Sequence, residues 1–260
     1  MKSVLKKLLD FLGVRLTRID GIKRYDSDGM QTLHNHEFLD DPKYQVALAR
    51  ALMADPTLGF MTWRLHVALW AASHAVRLGG DFVECGVNRG FLASAIMKYL
   101  DWNSLDRSFF LFDTFQGIAT ELLSSEEINA GRLSFNKQYS DCYKDAVDNF
   151  SEFQRVNLIR GRVPESLSSI HIDNVAFLSI DMNSAKADVA AFEFFWPKLA
   201  PCAVVLIDDY AYSGFEKTYS SFNDIAQQYG VPILSLPTGQ GIMLKGGSGT
   251  FLPENRAKET

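Results

Sequence analysis

The sequence predicts an α/β fold in which a mostly parallel sheet is covered by helices on both faces. Short apolar segments alternate with helix-like segments over most of the chain, a pattern typical of repeated βαβ units. Residues 109–112 and 204–207 are continuously apolar, as expected for strands buried on both sides. The last two apolar segments, 233–236 and 241–244, are separated only by residues 237–240. That connection is too short for a crossover helix, so the last two strands must pair antiparallel.

The predicted elements follow in order along the chain. A helical pattern from Pro42 to Leu78 precedes the first strand of the alternation. Strands are predicted at 82–84, 109–112, 156–159, 175–180, 204–207, 233–236 and 241–244. Helices are predicted at 91–99, 144–153, 189–199 and 215–229. An antiparallel hairpin that closes a parallel sheet favours the seven-stranded, Rossmann-like fold of S-adenosylmethionine (SAM) methyltransferases over the dinucleotide-binding version.

The residues before the sheet predict a helical extension. A set of leucines falls on one helical face, namely Leu5, Leu8, Leu9, Leu12 and Leu16. This face predicts a helix that packs on its own domain or on a partner subunit, with a membrane-surface anchor as the alternative. The polar segment from Arg18 to Asp41 is expected to be mobile and could form a lid. We therefore divide the chain into an extension (1–78), a methyltransferase domain (79–246) and a flexible tail (247–260).

Composition excludes several classes of protein. The net charge of -5 argues against a surface that coats nucleic acid. Cys85, Cys142 and Cys202 are widely separated, which predicts neither a disulfide framework nor a zinc site. No run is long and apolar enough to span a bilayer, and no signal-peptide cleavage site follows the N-terminal leucines. We expect a cytoplasmic protein without a transmembrane segment, and the leucine face favours a homo-oligomer.

The first predicted strand ends in a glycine turn that suits a small ligand. Glu84 closes the strand, and Gly86 and Gly90 come immediately before a helix. Bare backbone N–H groups and the positive end of a helix attract an anion, whereas Glu84 can bind a hydroxyl or an ammonium. The spacing is Glu-x-Gly-x-x-x-Gly and not Gly-x-Gly-x-x-Gly, which favours SAM over a dinucleotide. Asn88 and Arg89 belong to the same predicted cofactor site; a purely structural turn is the alternative.

Polar residues also follow the next two strands at the same sheet edge, where ligands bind in doubly wound folds. Asp113 is placed to accept both ribose hydroxyls of an adenosine, with a helix cap as the alternative. Its neighbours Thr114 and Phe115 extend the predicted cofactor site, and Phe115 could lie against adenine or belong to the core. Gly161 and Arg162 could line the adenine pocket, although Arg162 suits a surface role equally well.

Three carboxylates follow the fourth and fifth predicted strands of this alternation. We call Asp181, Asp208 and Asp209 the acid cluster. Converging carboxylates repel each other unless a cation or protons offset their charge. Ligands that are all oxygen favour Mg²⁺ or Ca²⁺ over zinc. The alternatives are a helix cap or a contact with the ammonium group of SAM.

Five motifs together resemble the macrocin-type O-methyltransferases, class I SAM enzymes that methylate sugar hydroxyls on antibiotics. The resemblance extends from Trp63 to Lys245, and its motifs are Glu-Cys-Gly-Val-Asn-Arg-Gly at 84–90, Leu-Phe-Asp-Thr-Phe-Gln-Gly at 111–117, Gly-Arg-Val-Pro-Glu-Ser-Leu at 161–167, Leu-Ser-Ile-Asp at 178–181 and Leu-Ile-Asp-Asp-Tyr at 206–210. It implies that Asp181, Asp208 and Asp209 hold Mg²⁺, which binds two neighbouring hydroxyls of the acceptor. It also implies that Asp181 is the general base.

The chain departs from this family pattern in two places. Family members often carry Asp-Gly-Asp after the fourth strand, whereas this chain has Asp181-Met-Asn183. The usual glycine pair before the fifth strand is replaced by Pro201-Cys-Ala203. The first change puts the metal site and the base in question, and the second concerns packing.

The predicted function is SAM-dependent, Mg²⁺-assisted O-methylation of a small molecule that carries hydroxyl groups, such as a sugar or another vicinal diol of a natural product or glycan. A non-catalytic SAM- or nucleotide-binding protein, with a regulatory or scaffold role, remains open because of Asn183 and the long extension. An NAD-dependent oxidoreductase is disfavoured by the missing glycine pattern and the terminal hairpin.

Overall fold

The computed structural model describes residues 24–137 and 139–247. The predicted leucine-faced helix lies outside the described residues, as does the predicted flexible tail apart from Gly247. The homo-oligomer that was inferred from the leucine face therefore stays a prediction. Within the described ranges, no helix is long and apolar enough to cross a membrane.

A seven-stranded sheet forms the centre of the molecule, and it confirms the predicted fold class. A separate hairpin, β1 (Tyr25–Ser27) and β2 (Met30–Thr32), precedes it. The sheet strands are β3 (Asp81–Cys85), β4 (Phe109–Asp113), β5 (Val156–Arg160), β6 (Val175–Ile180), β7 (Leu199–Ile207), β8 (Leu234–Ser235) and β9 (Gly241–Leu244). Their spatial order is β5-β4-β3-β6-β7-β9-β8. Strands β3 to β7 are parallel, whereas β9 runs antiparallel to both β7 and β8.

Helices cover both faces of the sheet. They are α1 (Pro42–Ala54), α2 (Thr62–Ala75), α3 (Phe91–Leu100), α4 (Ser125–Asn129), α5 (Tyr143–Phe150), α6 (Ala185–Phe195) and α7 (Glu216–Tyr229). Helices α1, α2, α3 and α5 share one apolar cluster with alternate sheet residues such as Phe82 and Phe177. Helices α6 and α7 share the other cluster with the intervening residues, such as Val83 and Leu178. Successive strand residues point to opposite faces, which explains why these strands are continuously apolar.

The predicted N-terminal extension packs directly on the sheet domain where the structure describes it. Helix α1 lies along α3, and α2 contacts α3, β6 and β7. The helical pattern of 42–78 is thus two helices, and Asp41 caps the first by accepting a hydrogen bond from the backbone of Tyr44. The polar connector contains the β1–β2 hairpin, which the sequence reading missed.

The predicted bounds of one helix and one strand in the second half of the sheet are wrong. Helix α6 begins at Ala185 and ends at Phe195, four residues before the predicted bounds of 189 and 199, because small buried alanines continue the helix towards its N-terminus. Strand β7 begins at Leu199 and not at 204. The exposed Pro201 and Cys202 lie inside it, and they interrupt the apolar pattern that predicts strands.

Candidate active site

A cavity of about 1000 Å³ opens at the carboxyl ends of the parallel strands, where β3 and β6 lie side by side and the strand order reverses. Such a switch point is where doubly wound folds bind ligands. The predicted site residues that line the cavity are Glu84, Gly86, Asn88, Arg89, Asp113, Thr114, Phe115, Gly161, Asp181, Asp208 and Asp209. Gly90 and Arg162 do not line it. Most of the predicted cofactor residues therefore share one cavity with the acid cluster.

Gly86 joins the glycine turn to the acid cluster. Its backbone has a φ of +93°, and a Cβ atom built there would lie 1.8 Å from the carbonyl oxygen of Asp181. Only glycine tolerates both the left-handed conformation and this close approach. The backbone N–H of Asp181 donates to the carbonyl of Cys85 at 2.8 Å. The main chain therefore sets the position of Asp181 relative to the turn.

Asp113 organises the glycine turn from the neighbouring strand. Its Oδ2 accepts hydrogen bonds from the backbone N–H groups of Val87 (2.6 Å) and Asn88 (2.7 Å). Its Oδ1 accepts from the backbone N–H of Phe115 at 2.6 Å. An ionised carboxylate accepts about four hydrogen bonds. Oγ1 of Thr114 lies 3.4 Å from Oδ1, but its one proton is better placed on the carbonyl of Gly117 at 2.6 Å. One position for a ribose hydroxyl therefore remains, while the main task of Asp113 in this structure is to hold two loops together.

Glu84 carries a buried oxygen without a partner. The residue is 2% exposed, it lines the cavity, and its Oε2 has no hydrogen-bond partner. Burial raises the pKa of Glu84 well above its ordinary value, and the negative charges of Asp113 and Asp208 raise it further. A buried polar atom without a partner costs free energy and needs an explanation. A ligand that donates a hydrogen bond, such as the ammonium group of SAM, would supply the missing partner.

Three other predicted cofactor residues make packing or ion-pair contacts within the protein. Gly90 lies immediately before α3 with a φ of +91°, and an added Cβ would lie 2.3 Å from the Phe150 ring, so this glycine permits packing on α5. Phe115 is fully buried, packs edge-on against Tyr143 at 5.2 Å and also lines the cavity, so its contact with adenine stays a prediction. Arg162 is exposed and pairs with Glu121, as the surface alternative predicts.

The acid cluster has an unusual electrostatic environment. Burial raises the pKa of Asp181 and of Asp209 well above the usual range, and the charge of Asp208 adds to both shifts. Asn183 donates a long hydrogen bond of 3.4 Å to Oδ1 of Asp181. It adopts a φ of +58°, which asparagine tolerates better than most residues. The amide at 183 thus supports Asp181 without adding a further charge.

Asp208 differs from the other two acids because both of its oxygens have partners. Oδ2 accepts from Nη1 of Arg64 at 2.9 Å, and Oδ1 accepts from Nε2 of Gln240 at 3.0 Å. Arg64 is also held in a two-pronged contact by Asp28 of the β1–β2 hairpin, with distances of 2.6 Å and 2.8 Å. The ring of Tyr212 lies 4.7 Å from the guanidinium.

Sequence reasoning missed both partners of Asp208, Arg64 and Gln240. It also missed the two residues that contact Arg64, Asp28 and Tyr212. An arginine inside an apolar helix was a usable signal, because a buried arginine needs an acid nearby. Asp28-Gly29 was a second signal, since this dipeptide favours a two-residue hairpin turn. The contacts of Arg64 with Asp28 and Asp208, and of Gln240 with Asp208, join distant parts of the chain, so no local pattern indicates which residues pair.

The predicted magnesium site stays a prediction. Across 24–137 and 139–247, no three His, Cys, Asp or Glu side chains are arranged to hold a metal ion together. The donor chemistry nevertheless fits a hard cation, because the acid cluster offers only carboxylate oxygens and already attracts the guanidinium of Arg64. Asp208 would have to share or give up that contact to bind a metal.

Aromatic side chains form the wall of the cavity beside the acid cluster. They are Phe135, Tyr139, Tyr212 and Phe215. Behind them, the buried Arg132 stacks on Phe215 with its guanidinium carbon 3.3 Å from the ring centroid. It also donates to the carbonyl of Gly214 at 2.8 Å. Arg132 therefore connects the segment after α4 to the loop after β7.

Comparisons with known proteins agree with this geometry. The sequence profile of the macrocin-O-methyltransferase (TylF) family matches residues 64–234. The mycinamicin III 3''-O-methyltransferase of Micromonospora griseorubida is 24% identical over 162 residues, which are 56% of this chain and 61% of that protein. The chain thus spans about three fifths of the length of this relative.

Two solved structures show the same fold. The O-methyltransferase NovP superposes with a TM-score of 0.67 at 18% identity, covering 82% of this chain and all of NovP. The calicheamicin methyltransferase CalS11 gives a TM-score of 0.54 at 15% identity, covering 88% of this chain and 97% of CalS11. Because the profile covers most of the chain and the motifs lie in the cavity, this chain belongs to the macrocin-O-methyltransferase (TylF) family.

Proposed function

We propose that this protein transfers a methyl group from SAM to a hydroxyl of a sugar-like small molecule with neighbouring hydroxyls. The observation that carries the proposal is the shared cavity, in which the glycine turn at Gly86 touches Asp181. Membership of an O-methyltransferase family supports the reaction type. The name of the mycinamicin relative supports a sugar hydroxyl as the acceptor group.

The cofactor residues serve mainly to align the two reactants. SAM supplies a methyl group on a sulfonium that is already electrophilic. Glu84 would accept from the ammonium group through its unpartnered Oε2, and Asp113 would accept from the ribose. Holding two reactants in a reactive geometry contributes on the order of 7–11 kcal/mol to lowering the barrier.

Asp181 is the proposed general base. It would take the proton of the acceptor hydroxyl while the methyl group passes from the sulfur of SAM to the acceptor oxygen, so that the C–S bond breaks and S-adenosylhomocysteine leaves. A base with a raised pKa accepts a proton more readily. The long hydrogen bond from Asn183 at 3.4 Å orients Oδ1 and leaves Oδ2 for the acceptor. The aromatic wall, with Tyr212 and Phe215, would pack against the sugar ring.

Mg²⁺ assistance is part of the proposal, with Asp181, Asp208 and Asp209 as the residues that would hold the ion. A bound divalent cation would lower the pKa of the acceptor hydroxyl. An acceptor with two adjacent hydroxyls would be favoured over an isolated amine, since hard cations prefer oxygen ligands.

Replacing the base tests the proposal directly. Asp181→Asn should lower the rate of methyl transfer by about 10²–10⁴-fold and leave SAM affinity within about twofold of the wild-type value. Transfer would be measured by mass spectrometry on glycosides with vicinal hydroxyls and on their monodeoxy analogues, and SAM binding by calorimetry. Asp224→Asn, an exposed position on α7, is the control with unchanged rates. Loss of SAM binding in Asp181→Asn would assign this residue to the cofactor and contradict the proposal.

A non-catalytic SAM-binding protein is the second candidate, because Asn183 replaces a carboxylate often present in the family. It predicts that the wild-type protein binds SAM without Mg²⁺ and transfers no methyl group to any acceptor in the same assay. Transfer to a vicinal diol that depends on Asp181 would exclude it.

A further inference from the structure

A chain of charged contacts links the β1–β2 hairpin to the acid cluster. Asp28 binds Arg64 through both of its oxygens, at 2.6 Å and 2.8 Å, and Arg64 binds Asp208 at 2.9 Å. The exposed fractions of the Asp28, Arg64 and Asp208 side chains are 1%, 8% and 9%. Buried ion pairs with this two-pronged geometry are strong and directional. The hairpin is therefore attached to the cavity at one defined point.

Local structure places Asp28 at that point. Asp28 and Gly29 form the tip of the hairpin with φ values of 52° and 71°, as a type I′ turn requires. The hydroxyl of Tyr25 hydrogen-bonds with Oγ1 of Thr62 at 2.8 Å, and the hydroxyl of Ser27 donates to the carbonyl of Phe60 at 2.8 Å. These bonds seat the hairpin at the start of α2, directly before Arg64.

Arg64 and a divalent cation would compete for Asp208. Oδ2 of Asp208 is bound by Arg64, and Oδ1 is bound by Gln240. A cation can use Oδ2 fully only if the guanidinium withdraws, because two positive groups on one oxygen repel each other. Since Asp28 holds the guanidinium in place, it opposes that withdrawal.

We propose that hairpin residues 25–32 form a latch on the acid cluster, in which Asp28 holds Arg64 on Asp208 and thereby weakens divalent-cation binding. Asp28 and Arg64 are positioning residues, and cation binding and release of the latch are coupled. This inference rests on the cation site of the proposed function. Its test measures metal binding itself, so that it can fail while methyl transfer stands.

For the loss of the Asp28 charge, the latch predicts a change in cation affinity opposite in sign to the change expected from net charge alone. Removing a negative charge near a cation site should weaken cation binding if Asp28 merely adds to the negative potential. If Asp28 instead retains a competing guanidinium, its removal should strengthen cation binding, because the bound state no longer has to break that contact. The sign of the change for Asp28→Asn therefore decides between the two accounts.

The experiment is a titration of the full-length protein with Mn²⁺, followed by calorimetry and by the electron paramagnetic resonance of free Mn²⁺. We expect Asp28→Asn to tighten Mn²⁺ binding at least tenfold and Arg64→Gln to tighten it at least as much. The matched control is Asp26→Asn, which removes the same charge from the same hairpin but only loses contacts with Arg24 and Gln31. It should stay within twofold of the wild-type affinity. If Arg64→Gln does not fold, the Asp28 and Asp26 pair suffices.

Because cation binding and release of the latch are coupled, bound cation should in turn loosen the hairpin. Saturating Mn²⁺ should speed hydrogen exchange of the amides at 27–31 in the wild-type protein several-fold, and it should leave exchange in the β4 amides unchanged. Three results would each overturn the latch. Asp28→Asn could bind Mn²⁺ no more tightly than the wild type, Asp26→Asn could change Mn²⁺ affinity as much as Asp28→Asn, or no variant could bind Mn²⁺. SAM binding and methyl transfer by the wild-type protein, measured in parallel, report separately on the proposed function.

Discussion

The cavity has two halves: the cofactor half, around Glu84, Gly86 and Asp113, and the acid half, around Asp181, Asp208 and Asp209. Different kinds of hydrogen bond hold each half in place. In the cofactor half, Asp113 accepts hydrogen bonds from backbone groups at the ends of neighbouring strands. In the acid half, Asp208 is held by the side chains of Arg64 and Gln240, which lie far away along the chain. The first half is thus a consequence of strand order and glycine placement. The second depends on individual side chains that distant segments contribute.

The largest expected effect is a loss of stability on substitution of Gly86, where the two halves of the cavity meet. Gly86→Ala should destabilise the protein by about 3–5 kcal/mol, because it combines backbone strain with a clash against main chain that cannot move aside. Denaturant unfolding measures the loss. Gly131→Ala is the matched control, since Gly131 has a similar φ of +87° with nothing within 4 Å of the added Cβ. Equal losses for the two variants would show that the contact with Asp181 contributes nothing.

A pH experiment tests the acid half. Asp188 is buried and accepts from the backbone N–H of Met182 at 3.1 Å, and burial raises its pKa from 3.8 to about 7. Folding therefore favours the protonated acid, and stability falls as pH rises from the unfolded pKa through about 7. Between pH 5 and pH 8 this group should cost the folded state about 2–3 kcal/mol.

Asp188→Asn should remove that dependence, because its amide oxygen can still accept from Met182. The measurement is the difference in unfolding free energy between wild type and variant at the two pH values. The corresponding difference for the exposed Asp224→Asn should not change with pH. A pH-independent difference for Asp188→Asn would show that Asp188 is ionised in the folded protein throughout this range.

The smallest expected effect tests the cofactor half. Glu84→Gln should weaken SAM binding by about tenfold, because a neutral hydrogen bond replaces one to a charged group. Arg162→Gln, at another of the predicted cofactor positions, should change SAM affinity by less than about twofold, since Arg162 is exposed and pairs with Glu121. Calorimetry with SAM measures both. A larger effect at Arg162 than at Glu84 would reverse the assignment of the two residues.

This contrast explains which parts could be predicted from the sequence. The strand ends, the glycine turn and the acids beyond them follow from local patterns, because a parallel sheet brings all its carboxyl ends to one edge. Gly86, Asp113 and Asp181 were found in this way, and all three line the cavity.

The remaining features depend on contacts between distant residues. The pairing of Arg64 with Asp208 spans 144 positions, and no periodicity encodes it. The β1–β2 hairpin is short and polar, so its pattern resembles a loop. The early start of β7 was missed for a related reason, because Pro201 and Cys202 are exposed within an otherwise buried strand.

The main-chain contact at Gly86 has a consequence for how such a protein can diversify. In the proposed reaction, the methyl donor and the base Asp181 would both be positioned by the main-chain contacts of residues 85, 86 and 181. The geometry of transfer would then not depend on the loops that surround the acceptor. The segment that carries Phe135 and Tyr139 and the one that carries Tyr212 and Phe215 can change freely by comparison. New acceptors can therefore arise by exchange of these loops without redesign of the reaction centre.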